Sequence, residues 1–476
     1  MRHRFIAAFS GVILSAVAPA AAQSSASDTI RLSIEEAVAT GLKVADEVRL
    51  SAAQADMADA QFNAARAGLV PLLRLTSTFG RTFASARSSA VNSLFSTTNV
   101  YTINANISQP LFQGGKLIAT ARAAGSLRLA GRFSAQEQRA LFTVTVQRAY
   151  LNALLAERLV ELQESNLQLA STRLTQVQQF QTAGRAAQYD VLRAKVERAN
   201  IEPLTIPARN DRELAQLEVK RLLTLPLERP IIFTSVIDAQ ATQVMVASYM
   251  DSAASPQRAA LRSAELVSRS RHLAITAARA DLLPTISVFF NAGVGAFPLA
   301  HYPIPSGRGT VGNSFCPVGS PATRTCNNGG WFDDSNMGVQ FSWALFDGLR
   351  AKSALEMARA QTRVADLELR QEQEQVALEV AKARAELRRA KAVFDGRRET
   401  SSEAQEAFRL ASLRFSRGLS TQLEVSDSQL ALLTAEGSEA RATYDLYLAT
   451  AELARALGKP IPLPATRALS RRTSNE

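Results

Sequence analysis

Ala65-Arg66-Ala67-Gly68-Leu69-Val70-Pro71 returns 213 positions later as Ala278-Arg279-Ala280-Asp281-Leu282-Leu283-Pro284. Further on, Leu111-Phe112-Gln113-Gly114 returns 234 positions later as Leu345-Phe346-Asp347-Gly348. The same offset of 234 relates Gly184 to Gly418 and Asp190-Val191 to Glu424-Val425. The offset grows by 21 between the two anchors, which marks an insertion in the second copy. Self-similarity in this order is the signature of a repeated unit. Each half reads helix, strand, loop, strand, long helix, turn, helix: one fold built twice.

Between the anchors the hydrophobic period changes from helical to twofold. Tyr101, Ile103, Ala105 and Ile107 alternate with Thr102, Asn104, Asn106 and Ser108. In the second copy Met337, Val339, Phe341, Trp343 and Leu345 alternate with Gly338, Gln340, Ser342 and Ala344. Ile286, Val288, Phe290, Ala292 and Val294 form a third run, interrupted by Phe289, and Leu75, Ser77 and Phe79 form the weakest of the four. Such alternation makes one face apolar and the other polar or small. A soluble, half-buried sheet has the same pattern. Matching hairpins, polar loops, strands of about ten residues and an export signal favour strands that cross a membrane. Four strands do not close a barrel, and lipid tolerates no open sheet edge. Several protomers must then contribute, and three give about twelve strands, an even number within the known range.

No Pro occurs from Lys116 to Ala183 or from Leu349 to Arg417. Each stretch, roughly 68 residues, corresponds to about 100 Å of continuous helix, a length for coiled-coil assembly rather than a globular core. Leu151, Leu154, Leu155, Leu159 and Leu162 recur at helical spacing among many Ala, which permits close packing around a wide tube. Each long helix ends at a Gly turn, Thr182-Ala183-Gly184 and Arg417-Gly418-Leu419, and shorter helices are expected to run back over 187–223 and 421–457. Pro203 and Pro207 predict a break in the first return helix; the second has no equivalent. The connector at 224–250, with Pro226, Pro230 and the apolar run Ile231-Ile232-Phe233, is expected to form a collar together with the tail after Gly458.

Arg2, His3 and Arg4 precede an apolar run from Phe5 to Val17, and Ala20-Ala21-Ala22 stands before Gln23. Residues 1–22 therefore read as an export signal, too short in its apolar part to span a bilayer. A first repeat over 23–223, the connector, a second repeat over 251–457 and a tail over 458–476 complete the organisation. The segment from Arg467 onward has the composition of a disordered tail. Cys316 and Cys326 lie ten positions apart in a segment rich in Gly, Pro, Asn and Ser, and read as a disulfide closing a surface loop. With 3 His and 2 Cys in 476 residues, no phosphate loop and no nucleophile motif, no enzyme activity, cofactor or metal is expected. The net charge of +11 is spread through helical segments and interleaved with Glu and Gln. That distribution reads as solvated helix faces rather than a nucleic-acid surface.

Leu32-Ser33-Ile34-Glu35-Glu36-Ala37-Val38, the repeated 65–71 and 278–284 segments, Ser108-Gln109-Pro110-Leu111-Phe112-Gln113-Gly114-Gly115, Leu345-Phe346-Asp347-Gly348 and the paired Gly turns together resemble the TolC-like outer-membrane factors. The resemblance covers nearly the whole mature chain. It implies a mixed α and β membrane protein, with four transmembrane strands per protomer in a shared trimeric barrel. Long antiparallel coiled-coil helices would form a periplasmic tunnel. It further implies docking with a periplasmic adaptor and a proton-driven or ATP-driven inner-membrane transporter, for small-molecule efflux or one-step protein secretion, without catalysis. No Cys follows the cleavage site, so a lipid-anchored N-terminus is not expected, which leans toward the secretion-type members.

In this family acidic residues just after the hairpin turns help narrow the periplasmic entrance; by position these are Asp190, Glu424 and Asp427. The plainer reading is that acids in a first helical turn complement the helix dipole. Gly184, Arg185, Gly418 and Leu419 fall where an adaptor would touch the duct. Some members lock the entrance with an Arg and a Tyr on the second hairpin. Ser420 and Phe415 stand at those positions, so that lock is absent, and Arg417 or Arg185 are the candidate substitutes. Two rival readings compete with the channel. A periplasmic adaptor has one helical hairpin flanked by compact β domains, and a structural envelope protein would not conduct.

Overall fold

The computed structural model describes residues 29–83, 99–235, 237, 239–250, 258–296 and 331–463. The export signal, the Cys316–Cys326 pair and the tail from Arg467 lie outside the described residues.

Helix α1 (Ile34–Val44) begins at a reciprocal cap: Ser33 Oγ accepts from Glu36 N at 3.2 Å, and Glu36 Oε2 accepts from Ser33 N at 2.9 Å. Helix α2 (Asp46–Ala67) leads to strands β2 (Leu72–Arg81) and β3 (Asn99–Gln113). The long helix α3 (Lys116–Thr182) follows. The first return is divided into α4 (Gln188–Ile201), a 3-10 turn at Glu202–Leu204 and α5 (Thr205–Leu222). Pro203 sits in that turn, where its missing N–H and fixed φ interrupt the α-helical ladder. After the connector come α6 (Ala239–Met250), α7 (Ala259–Ala280), β5 (Thr285–Ala296) and β6 (Trp331–Ser342). The second long helix α8 (Arg350–Ser416) and an unbroken return helix α9 (Gln422–Ala456) complete the second copy.

Both long helices have 67 residues. Their bounds, and those of the two return segments Gln188–Leu222 and Gln422–Ala456, differ by the same 234 at both ends. The Pro-induced break therefore adds no residue to the first return. Each long helix is entered through two left-handed residues, Gly114 and Gly115 in the first copy and Gly348 and Leu349 in the second. Glycine adopts that conformation without strain; Leu349 adopts it at φ 68°.

Strands β2, β3, β5 and β6 form one antiparallel sheet in that order. β3 carries a bulge between Pro110 and Phe112, at the point where Pro can donate no ladder hydrogen bond. β6 ends at Ser342, so Trp343 and Leu345, expected within the strand, lie beyond it. Trp343 Nε1 instead donates to Leu282 O at 3.3 Å. A second, small sheet was not anticipated at the chain start: β1 (Ile30–Leu32) pairs in parallel with β4 (Ile231–Phe233).

The core lies midway along the helices. Ile34, Phe142, Val146, Leu151, Leu223 and Phe233 pack around Tyr150, which is fully buried. Tyr150 Oη donates to Leu32 O at 2.8 Å and accepts from Ser235 N at 3.3 Å, tying both short strands to α3. A second cluster gathers Val246, Leu387, Phe394, Leu446 and Leu453. Beside it Arg258, 3% exposed, donates to Glu137 at 3.1 Å and to Glu379 at 2.7 Å, and Arg455 reaches both acids at 3.2 and 3.3 Å. That quartet joins α3, α7, α8 and α9. Pro462 O accepts from Tyr447 Oη at 2.6 Å and from Gln147 Nε2 at 3.0 Å, holding the segment after Gly458 against α3 and α9.

Candidate functional site

The residues singled out in the sequence lie at the ends of the two helical hairpins, Gly184, Arg185 and Asp190 on the first and Gly418, Leu419, Glu424 and Asp427 on the second. Gly184 (φ 72°) and Gly418 (φ 75°) close equivalent turns. Arg185 N donates to Phe180 O at 2.8 Å and Leu419 N to Arg414 O at 2.9 Å, the long bonds of a left-handed helix stop. Gly184, Arg185, Gly418 and Leu419 are all exposed. The Arg185 guanidinium lies over the Phe180 ring, 5.2 Å from its centroid.

Asp190 and Glu424 occupy equivalent positions in the first turn of their helices. Asp190 Oδ2 accepts from Ala187 N at 3.0 Å. Thr421 caps α9 by accepting from Glu424 N at 3.4 Å. The Glu424 carboxylate accepts from Ser420 Oγ at 2.9 Å and pairs with Arg414 at 3.0 Å. Asp190 thus closes its own helix start, whereas the Glu424 carboxylate is held by Ser420 and Arg414; both stand in a first turn, where the helix dipole favours an acid. Within the protomer, Arg414 on α8 holds the Glu424 carboxylate. Asp427, one turn on, is exposed and lines a groove of about 710 Å³ between α4 and α9, opposite Arg193, Glu197 and Asn200.

The floor of the site is a buried polar network absent from the sequence reading. Arg173 on α3, 8% exposed, donates to Glu197 of α4 at 3.1 Å, Ser426 of α9 at 2.9 Å and Gln429 of α9 at 2.7 Å. Gln429 in turn donates to Asn166 on α3. Burial lowers the Arg173 guanidinium from its ordinary value, and the Glu197 carboxylate opposes that shift. Asn166, Ala170, Arg173 and Val177 are all buried at spacings of four, three and four, so Arg173 occupies a seam position. That spacing was the available signal. Among the described residues no cluster of His, Cys, Asp or Glu could hold a metal ion.

Two long helical hairpins, a four-stranded sheet with exposed apolar side chains and an internal duplication define the architecture. The chain belongs to the outer membrane efflux protein family, whose model matches residues 42–224 and 252–459. No curated protein sequence matches it. The fold is similar to that of the outer membrane protein VceC from Vibrio cholerae, at 18% identity and a TM-score of 0.68, covering 90% of this chain and 97% of that one. It is also similar to the Campylobacter jejuni CmeC outer membrane channel, at 15% identity and a TM-score of 0.69, covering 89% and 85%. The open state of the Neisseria gonorrhoeae MtrE outer membrane channel matches at 19% identity and a TM-score of 0.63, covering 90% and 89%.

Proposed function

We propose that this chain is one protomer of a trimeric outer-membrane channel in a tripartite export system. Cargo, small molecules or proteins, would pass from a periplasmic adaptor and an inner-membrane transporter to the exterior. One observation carries the reading: a sheet with two open edges and an exposed apolar face continues into two helices of 67 residues. Among the described residues β2 and β6 each pair on one side only. Leu73, Leu75, Val339 and Met337 are between 67% and 81% exposed. A monomer in water gains nothing from such a face, and a monomer in lipid would leave two strand edges unsatisfied. Three copies joined β6 to β2 remove both problems. No described helix is long and apolar enough to cross a membrane, so the spanning element in this reading is the sheet.

The hairpin tips then form the periplasmic entrance. Three copies of Glu424, Asp427 and Asp190 would ring it with carboxylates, favouring cations, while Gly184, Arg185, Gly418 and Leu419 meet the adaptor. The test is crosslinking from position 419 in intact cells, followed by identification of what copurifies. An adaptor with a proton-driven transporter assigns solute efflux, and one with an ATP-driven transporter assigns protein secretion. Recovery of neither contradicts the export role.

A further inference from the structure

One row of the sheet is polar from edge to edge. Asn106 of β3 stands opposite Asn291 of β5, and Asn291 opposite Asn336 of β6. Asn106 Nδ2 donates to Asn291 Oδ1, and Asn291 Nδ2 donates to Asn336 Oδ1 at 2.7 Å. Arg74 of β2 extends the row opposite Asn106. The neighbouring row, Leu73, Ile107, Phe290 and Met337, faces the other way and is apolar. The polar face is otherwise almost neutral. Asn104 lies over Gly293, where an added Cβ would come within 2.0 Å of its Oδ1, and Phe289 lies over Gly338 at 2.8 Å. Along the paired strands the only charged residues on this face are Arg74 and Asp334. Arg74 is exposed and makes no ion pair among the described residues.

Resting on the barrel reading above, in which this face lines the lumen, we propose that Arg74 and the carboxamide row are the charge filter of the membrane segment. The filter favours anionic over cationic cargo. The amides bond one another along the row, so they offer fixed dipoles without net charge. A guanidinium stays protonated at every accessible pH. Three of them in a channel with low-dielectric walls bias the local ion population, because such walls focus the field. The sign is opposite to that of the acids at the entrance. Within one protomer Asp334 lies one polar position outward and three strands away, about 14 Å across the sheet; joining β6 to β2 sets it on the strand beside the next copy's Arg74, where it offsets part of that charge.

The test is the reversal potential of the purified full-length protein in planar bilayers under a KCl gradient. It is run at low salt, because the Debye length is only about 8 Å at 0.15 M. The background carries Asp190→Ala, Glu424→Ala and Asp427→Ala, so that the entrance acids do not set the ratio. Arg74→Glu is expected to raise the potassium-to-chloride permeability ratio by about threefold or more. Arg74→Lys should preserve the parental ratio, Asp334→Asn should lower it, and Arg81→Gln, on the opposite face, should leave it alone. If Arg74→Glu impairs assembly, the uncharged Arg74→Gln reports the same shift at smaller amplitude. An unchanged ratio in an Arg74 variant of normal conductance overturns the inference and leaves the channel standing. No conductance from any variant overturns the channel itself, and the filter with it.

Discussion

Arg173 of α3 donates to the side-chain oxygen of Gln429 of α9 at 2.7 Å, across the seam between the two repeats. Among the described residues the one carboxylate paired with Arg173, Glu197, belongs to the return helix of its own repeat. The contacts that cross to α9 are therefore made to neutral acceptors, Ser426 and Gln429, and separating the hairpins leaves the ion pair intact. Hydrogen bonds from a charged donor contribute about 1.5–3 kcal/mol each. Arg173→Met strips all three contacts and leaves Glu197 half-buried and unpaired, so a loss of roughly 2–4 kcal/mol is expected. Thermal unfolding checks this, and adding Glu197→Gln to Arg173→Met should recover part of the loss.

Arg258 governs the acid sensitivity of the midsection. Burial pushes the Glu379 carboxyl up, but the hydrogen bond and charge of Arg258 outweigh it and hold the group below its ordinary value. A carboxylate with a depressed folded-state pKa contributes stability that is fully present above its unfolded value, near 4.3, and is lost as pH falls through the folded value. The melting temperature should therefore drop more steeply below about pH 4 in the parent than in Glu379→Gln. Equal slopes would remove Glu379 from the explanation of acid lability.

Tyr150→Phe keeps the ring in the core and removes only the hydroxyl. Leu32 O and Ser235 N then lose a buried partner, and a destabilisation of about 1–3 kcal/mol is expected. Calorimetry or denaturant unfolding of the detergent-solubilised protein measures it. A neutral result would mean that β1 and β4 are held without this contact.

Ile107 and Ser108 are adjacent on β3 and point to opposite faces. In the barrel reading an Arg at a lipid-facing midplane position costs about 2–4 kcal/mol, whereas the lumenal face tolerates it. Ile107→Arg is expected to reduce membrane-inserted trimer strongly, and Ser108→Arg to leave most of it. Equal yields from the two variants would argue against a lipid-facing sheet.

The duplication was the most informative feature of the sequence. It set the bounds of both long helices within a residue or two, because uninterrupted helical spacing between Gly turns leaves few alternatives. Pro203 and Pro207 marked the broken return helix for a local, steric reason. The pairing of β1 with β4 left no such trace: each strand has three residues, and the partners lie about 200 positions apart. Leu349 hides a left-handed turn that Gly115 shows openly in the first copy. At the tips, the equivalence of Asp190 and Glu424 was legible from the offset, but the partner of Glu424 was not. Arg417 is nearer in sequence, yet it ends α8, while Arg414 lies one turn earlier and pairs with the carboxylate. Arg173 could have been noticed at its seam spacing, but its contacts 253 and 256 positions away could not.

The most direct measurement is conductance of the purified trimer in planar lipid bilayers, compared between the parent and Glu424→Ala/Asp427→Ala. If three protomers share a barrel and the acids ring its entrance, the parent conducts and the variant conducts more. A trimer that conducts in neither form would contradict the channel outright.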